Sequence, residues 1–191
     1  MRNFLKIADG VNVTPLLNAI YRKPELWKAD DFLRKFPQGP FEDTETIYLR
    51  FQDHVPCETE EQVELYKQNK LAGYDLHECP WRDEAKELPE ARAHIMTLMS
   101  AMGATRLGRC MINRVRAGGR IFPHEDSPWH ASYWDRYHIV IQSEPGNVFT
   151  CGDEQVWMRP GEVWWFQNAI MHEVVNNSAE DRIHLVVDLR F

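Results

Sequence analysis

Strict alternation of apolar and polar positions marks the second half of the chain. In Arg182-Ile183-His184-Leu185-Val186-Val187-Asp188-Leu189, the residues Ile183, Leu185, Val187 and Leu189 share one face, and Arg182, His184, Val186 and Asp188 share the other. A period of two is the signature of a strand with one face on an apolar core. Asp135 to Ile141 repeats it, with Arg136, His138 and Val140 opposite Tyr137, Ile139 and Ile141. Eight segments read as strands: Leu107 to Val115, Ile121 to His124, Tyr137 to Gln142, Asn147 to Thr150, Gln155 to Met158, Glu162 to Phe166, His172 to Val175 and Ile183 to Leu189. Turn residues separate them at Gly118-Gly119, Pro145-Gly146, Cys151-Gly152-Asp153, Pro160-Gly161 and Asn176-Asn177-Ser178. Eight short antiparallel strands predict a mainly β fold with flanking helices, a jelly roll.

The first half carries a different rhythm. Thr14 and Pro15 provide a cap and first position for a helix over Leu16 to Tyr21, and Pro24-Glu25-Leu26-Trp27 begins a short helical turn. Thr46 to Phe51 reads as a strand, and Glu58 to Lys70, acidic then basic, as a solvated helix or loop. From Pro89 to Met102, Ala91, Ile95, Leu98, Met99 and Met102 recur at helical spacing, so that helix should pack on the outside of the sheet. No linker and no internal repeat interrupts the chain. It reads as one domain, 1–191, with a helical or irregular supporting half (1–105) and a strand-rich core (106–191).

Composition narrows the function classes. At 191 residues the chain buries about 70 per cent of its unfolded surface without covalent staples. Twenty-two basic against 29 acidic residues give a net charge of −7, which disfavours generic binding to nucleic-acid phosphates. Arg106, Arg109, Arg114, Arg116 and Arg120 nevertheless concentrate basic charge locally. Four scattered cysteines, Cys57, Cys79, Cys110 and Cys151, form no short framework and fit a reducing, cytoplasmic setting. No apolar run approaches the length of a membrane span or a secretory leader.

Chemistry enters at His124-Glu125-Asp126, followed 46 residues later by His172. In an extended segment His124 and Asp126 project to one face and can grip one ion, while Glu125 faces away. With 8 histidines and 29 acidic residues a His-x-Asp tripeptide also arises by chance, so its context matters. The glycine pair and Pro123 frame it as the start of a strand, and His172 sits where a turn feeds a β run. Two imidazoles and one carboxylate leave positions on an Fe(II) ion for a bidentate cosubstrate and for O2, the pattern of an iron oxygenase. Arg182, on an inner face, needs an anion, and a dicarboxylate would satisfy its fork. His54, His77, His94 and His130 read as hydrogen-bonded structural residues, and His184 as either a support of the site or a structural imidazole. Asp188, Arg190 and Glu162 read as surface charges or strand-end partners. Arg136 has Asp135 and Asp126 within sequence reach. Ser127 to Trp134, rich in aromatic residues, reads either as a substrate wall or as a loop anchoring its own rings.

These residues resemble the aspartyl/asparaginyl β-hydroxylase family of Fe(II)- and 2-oxoglutarate-dependent oxygenases over Arg109 to Phe191. The family pattern is a first His, an Arg-x-His on the next strand, and a distal His with an Arg ten residues beyond. Here these are His124, Arg136-Tyr137-His138, His172 and Arg182. The resemblance implies a cupin-like double-stranded β-helix with iron held by His124, Asp126 and His172. It implies that Arg182 holds the distal carboxylate of 2-oxoglutarate, with help from Asn113, and that Arg136 and His138 lie near the keto-acid end. Some relatives lack the acidic ligand; Asp126 brings this chain closer to members resembling free amino acid hydroxylases, such as proline 4-hydroxylases. The expected activity is hydroxylation of an amino acid, a peptidyl side chain or another small molecule. Alternatives are a cupin enzyme working without 2-oxoglutarate and a noncatalytic module that binds a small acid.

Overall fold

Two antiparallel sheets face one another across a shared interior. The computed structural model describes residues 3–28, 32–35 and 39–191. Its strands are β1 (Phe4–Ala8), β2 (Thr44–Arg50), β3 (Arg106–Val115), β4 (Arg120–His124), β5 (Asp135–Gln142), β6 (Asn147–Cys151), β7 (Glu154–Val156), β8 (Val163–Phe166), β9 (His172–Asn176) and β10 (Arg182–Arg190). The larger sheet runs β1-β8-β5-β10-β3-β2 and the smaller β4-β9-β6-β7. The helices are α1 (Thr14–Arg22), α2 (Phe32–Lys35), α3 (Glu60–Lys67), α4 (Glu84–Glu87), α5 (Pro89–Met102) and α6 (Pro128–Ala131), with a 3-10 turn at Pro24–Lys28. This is the expected double-stranded β-helix with flanking helices.

The alternation in β10 and β5 does what the pattern predicted. Ile183, Leu185, Val187 and Leu189, with Tyr137, Ile139 and Ile141, join Leu16 and Ile20 of α1 and Ala91, Ile95 and Leu98 of α5 in one buried cluster outside the larger sheet. Each fully buried aliphatic side chain contributes about 1.5–3 kcal/mol, so the helices are held on by this face. α5 spans Pro89–Met102 as its spacing indicated and ends at Gly103, whose φ of +68° closes the last turn. Between the sheets lies a second cluster, including Val140, Phe149, Phe166 and Val174.

Two expectations need correction. The supporting half is not only helical or irregular. β1, absent from the expected strands, pairs with β8, Phe4 opposite Phe166, while β2, the strand expected at Thr46 to Phe51, pairs with β3; both belong to the larger sheet. Five residues, Phe-Leu-Lys-Ile-Ala, are too few for a periodicity to stand out, and their partner is far along the chain. In addition, Glu162 is buried rather than a surface charge: it accepts from Trp164 Nε1 and the Arg159 backbone N–H, and pairs with Lys6.

Candidate metal centre

β4 and β9 deliver the two histidines side by side. Ile121 stands opposite Val174 and His124 opposite His172, with a register shift between Ile121 and His124. Two residues, Phe122 and Pro123, thus lie opposite Glu173 alone. The bulge turns His124 to the same inner side as Ile121, which simple alternation would have denied it, and it tolerates the proline. The two imidazole rings lie 4.3 Å apart between centroids.

Hydrogen bonding fixes which nitrogen each ring offers. His124 Nδ1 is 2.8 Å from the Phe122 carbonyl and His172 Nδ1 is 2.8 Å from the Ile170 carbonyl. A carbonyl only accepts, so each Nδ1 carries the proton and each Nε2 presents a lone pair. Asp126 completes the set: one donor atom from each of His124, Asp126 and His172 lies within 4.8 Å of the others. Arg136 Nη1 (2.6 Å) and Asn168 Nδ2 (3.0 Å) both donate to Asp126 Oδ2, leaving Oδ1 uncommitted. Burial would raise the Asp126 pKa, but Arg136, His172 and Asn168 bring it below the ordinary value, so it is a carboxylate. Burial, reinforced by His124, lowers His172 to about 4, so it is a neutral imidazole near pH 7. Two neutral imidazoles and a carboxylate suit a divalent transition ion such as Fe(II).

Arg136 borders the space beside the centre, but carboxylates already engage its guanidinium. Its Nε and Nη2 donate to Asp188 Oδ1 (2.8 Å) and Oδ2 (3.0 Å), a bidentate pair, while Nη1 holds Asp126. Asp188 is 0% exposed, which corrects its reading as a surface or strand-end charge. Burial opposes its ionisation, yet Arg136 and His130 hold its pKa well below the usual range. His130 Nε2 donates to Asp188 Oδ2 at 2.9 Å, so this histidine is the structural residue expected.

Arg182 is different. It is 3% exposed, and among the described residues it meets no carboxylate; its Nη2 donates to His184 Nδ1 at 3.0 Å. Burial alone lowers its pKa to about 9. His184 Nδ1 must therefore be an acceptor, and His138 Nδ1, 3.1 Å away, the second donor to it. Both rings are neutral, held well below the ordinary value first by burial and then by Arg182. Asn113 accepts from Thr46 Oγ1 at 3.1 Å. Arg182, Asn113, His138 and the three candidate ligands all border one cavity of about 290 Å³. A buried guanidinium with one neutral partner fits a dicarboxylate reaching into that cavity.

Neither Trp164 nor Trp165 lines this space; Phe166 does. Trp165 Nε1 donates to Asp135 on the outer side. In the aromatic segment after Asp126, Tyr133 stacks on His77 at 3.5 Å and Trp134 lies against Gly108, where an added Cβ would be 3.0 Å from the indole. Those rings anchor the loop. Asp188, His130 and Asn168 escaped sequence reasoning as supports of the site, although the alternation of β10 had put Asp188 on the inner face.

Residues 45–190 match the family described as Aspartyl/Asparaginyl beta-hydroxylase, and the chain belongs to that family. L-proline cis-3-hydroxylase 2 of Streptomyces sp is 34% identical over 74 residues, and L-proline cis-3-hydroxylase 1 of the same source is 31% identical over 74 residues. Each match covers 37% of this chain and 26% of the relative, so the chain spans about a quarter of these curated relatives. Among solved structures, the viral collagen prolyl hydroxylase of Paramecium Bursaria Chlorella virus-1, in its 2OG complex, superposes with a TM-score of 0.51 at 7% identity. That match covers 99% of this chain and 96% of the other, and it is a likeness of fold. Among the described residues no helix is long and apolar enough to cross a membrane.

The buried imidazoles make acid the weak side of this fold. His130, His138, His172 and His184 have folded pKa values below the ordinary one, so the unfolded chain takes up their protons first. Stability is then fully present above about pH 6.5 and falls as pH drops below it. Asp188, also depressed, adds a further loss below about pH 4. Denaturant midpoints of the metal-free protein should fall steadily from pH 7.5 to 5; a flat profile would contradict the burial of these rings.

Proposed function

We propose that this chain is an Fe(II)- and 2-oxoglutarate-dependent dioxygenase that hydroxylates an unactivated C–H bond of an amino acid or amino-acid side chain. One oxygen atom of O2 would enter the substrate as a hydroxyl and the other would enter succinate, while C1 of 2-oxoglutarate leaves as CO2. The observation that carries this reading is the pairing of the His124, Asp126 and His172 cluster with an anion-less Arg182 on the wall of the same cavity. Family membership agrees with it.

Each residue has a task that follows from its surroundings. His124 and His172 would hold iron through Nε2, because their Nδ1 protons are tied to Phe122 and Ile170 carbonyls. Asp126 would hold it through the oxygen that Arg136 and Asn168 leave uncommitted. When bound, the metal supplies the activation of O2 and the oxidation of the C–H bond. Arg182 would turn from His184 to the distal carboxylate of 2-oxoglutarate, and Asn113 lies on the same wall to assist. His138 would stand beside the cosubstrate as a neutral ring. Phe149 and Phe166 line the cavity and would help to exclude water from it.

The test is succinate formation from 2-oxoglutarate by protein loaded anaerobically with Fe(II) and then given O2. Loss of a charge-assisted bidentate contact should raise the half-saturating 2-oxoglutarate of Arg182→Ala about 10- to 100-fold. An unchanged requirement would remove Arg182 from this role, and a metal-loaded wild type that makes no succinate would favour cupin chemistry without this cosubstrate.

A further inference from the structure

Of the five arginines clustered between positions 106 and 120, four are paired with carboxylates. Arg106 meets Asp75, Arg114 and Arg116 meet Glu45, and Arg120 meets Glu173. Arg109 meets none among the described residues. Its Nε donates to Gln52 Oε1 at 3.0 Å and its Nη2 donates to the same oxygen. Its guanidinium carbon lies 4.9 Å from the ring centre of Phe51 and 5.6 Å from that of Trp129. Burial lowers its pKa, as expected for a cation waiting for an anion.

The position of Arg109 is as informative as its lack of a partner. With Phe51 it forms a wall common to the 290 Å³ metal-side cavity and an adjoining cavity of about 680 Å³. Gln52, Tyr66 and Trp129 line that second space. At the low end of the roughly 300–1000 Å³ typical of ligand sites, the first cavity is small for a cosubstrate and a substrate together. The second supplies room, and Arg109 stands at the junction. The metal-side cavity is thus bordered by two guanidiniums without carboxylates, Arg182 and Arg109. If 2-oxoglutarate satisfies the first, a different anion must satisfy the second.

The geometry points to Arg109 as the group that binds the free carboxylate of the substrate, which makes the substrate a free amino acid rather than a residue within a peptide chain. This rests on the oxygenase reading above. Gln52 fixes one edge of the guanidinium fork and leaves the remaining N–H groups for a planar carboxylate. Phe51 and Trp129 flank the same group and offer apolar faces to the carbon skeleton. A phosphate, with more charge and more oxygens, normally gathers several cations, and in the second cavity Arg82 is already paired with Asp53, which leaves Arg109 alone there.

The experiment measures succinate formation by the Fe(II)-loaded full chain above its substrate-free rate, with each proteinogenic L-amino acid and with the corresponding primary carboxamides. At least one free acid should stimulate turnover, and its carboxamide, isosteric but uncharged, should require about 10- to 100-fold higher concentration. Arg109→Met should raise the KM for that acid by a similar factor, with Arg109→Lys between the two because it keeps charge but not the fork. Equal use of acid and carboxamide would overturn the proposal without needing any variant. So would an increase in half-saturating 2-oxoglutarate, rather than substrate KM, in Arg109→Met. Succinate formation that no free amino acid stimulates would refute this assignment alone, whereas absence of succinate altogether would refute the oxygenase reading on which it depends.

Discussion

Replacing His172 with alanine is expected to abolish iron-dependent turnover, and to do so by loss of the metal rather than of the fold. His172 is one of three candidate donors, and its Nε2 is the atom left free by the Ile170 carbonyl. Two remaining donors, one a monodentate carboxylate, hold a divalent ion weakly, and the loss should exceed the roughly 10- to 100-fold typical when only an outer partner of a ligand is removed. The side chain is neutral near pH 7, so its removal leaves no unpaired charge. Metal content after gel filtration and 2-oxoglutarate consumption would be measured together with the denaturant midpoint. His172→Ala that still binds stoichiometric Fe(II) would remove this residue from the centre.

Asp188→Ala is expected to give the largest loss of stability, about 3–5 kcal/mol, because it takes one member from a buried ion pair. Asp188 is fully buried, and both of its oxygens accept from Arg136. The guanidinium would be left with Asp126 alone and with His130 beside it. A second consequence reaches the metal: Arg136 would no longer be anchored as it holds Asp126 Oδ2, and Fe(II) affinity should fall about 10- to 100-fold. Chemical unfolding and metal titration check the two parts separately. A variant of wild-type stability would mean that Asp126 alone suffices to compensate Arg136.

Periodicity carried the reading of the sheets further than that of the site. In β5 and β10 each inward and outward residue is where alternation puts it, because a pleated strand allows only two directions. The candidate metal cluster was legible from type and spacing, but its aim was not: His124 faces inward because of a bulge at Phe122-Pro123, which the sequence marks only by the proline. Arg136 and Asp188 show a different limit. Alternation set both on the inner face, yet it contains no depth, and a charge at a strand end reads as solvated until its buried counter-charge is seen. β1 escaped because its five residues gain their meaning from a strand more than 150 positions away.

The donors of the metal cluster belong to the smaller sheet and its margin, whereas Arg182, His184 and His138 belong to the larger. What separates them is the apolar layer between the sheets, and Phe149 touches both parties: its ring centre is 6.2 Å from that of His172 and 5.6 Å from the Arg182 guanidinium carbon. The span that the proposed bridging dicarboxylate would cover is therefore set by hydrocarbon thickness. On the proposed reading, an aromatic ring with no chemistry of its own would act as the gauge of cosubstrate length, and trimming Phe149 would alter the separation of the two sides.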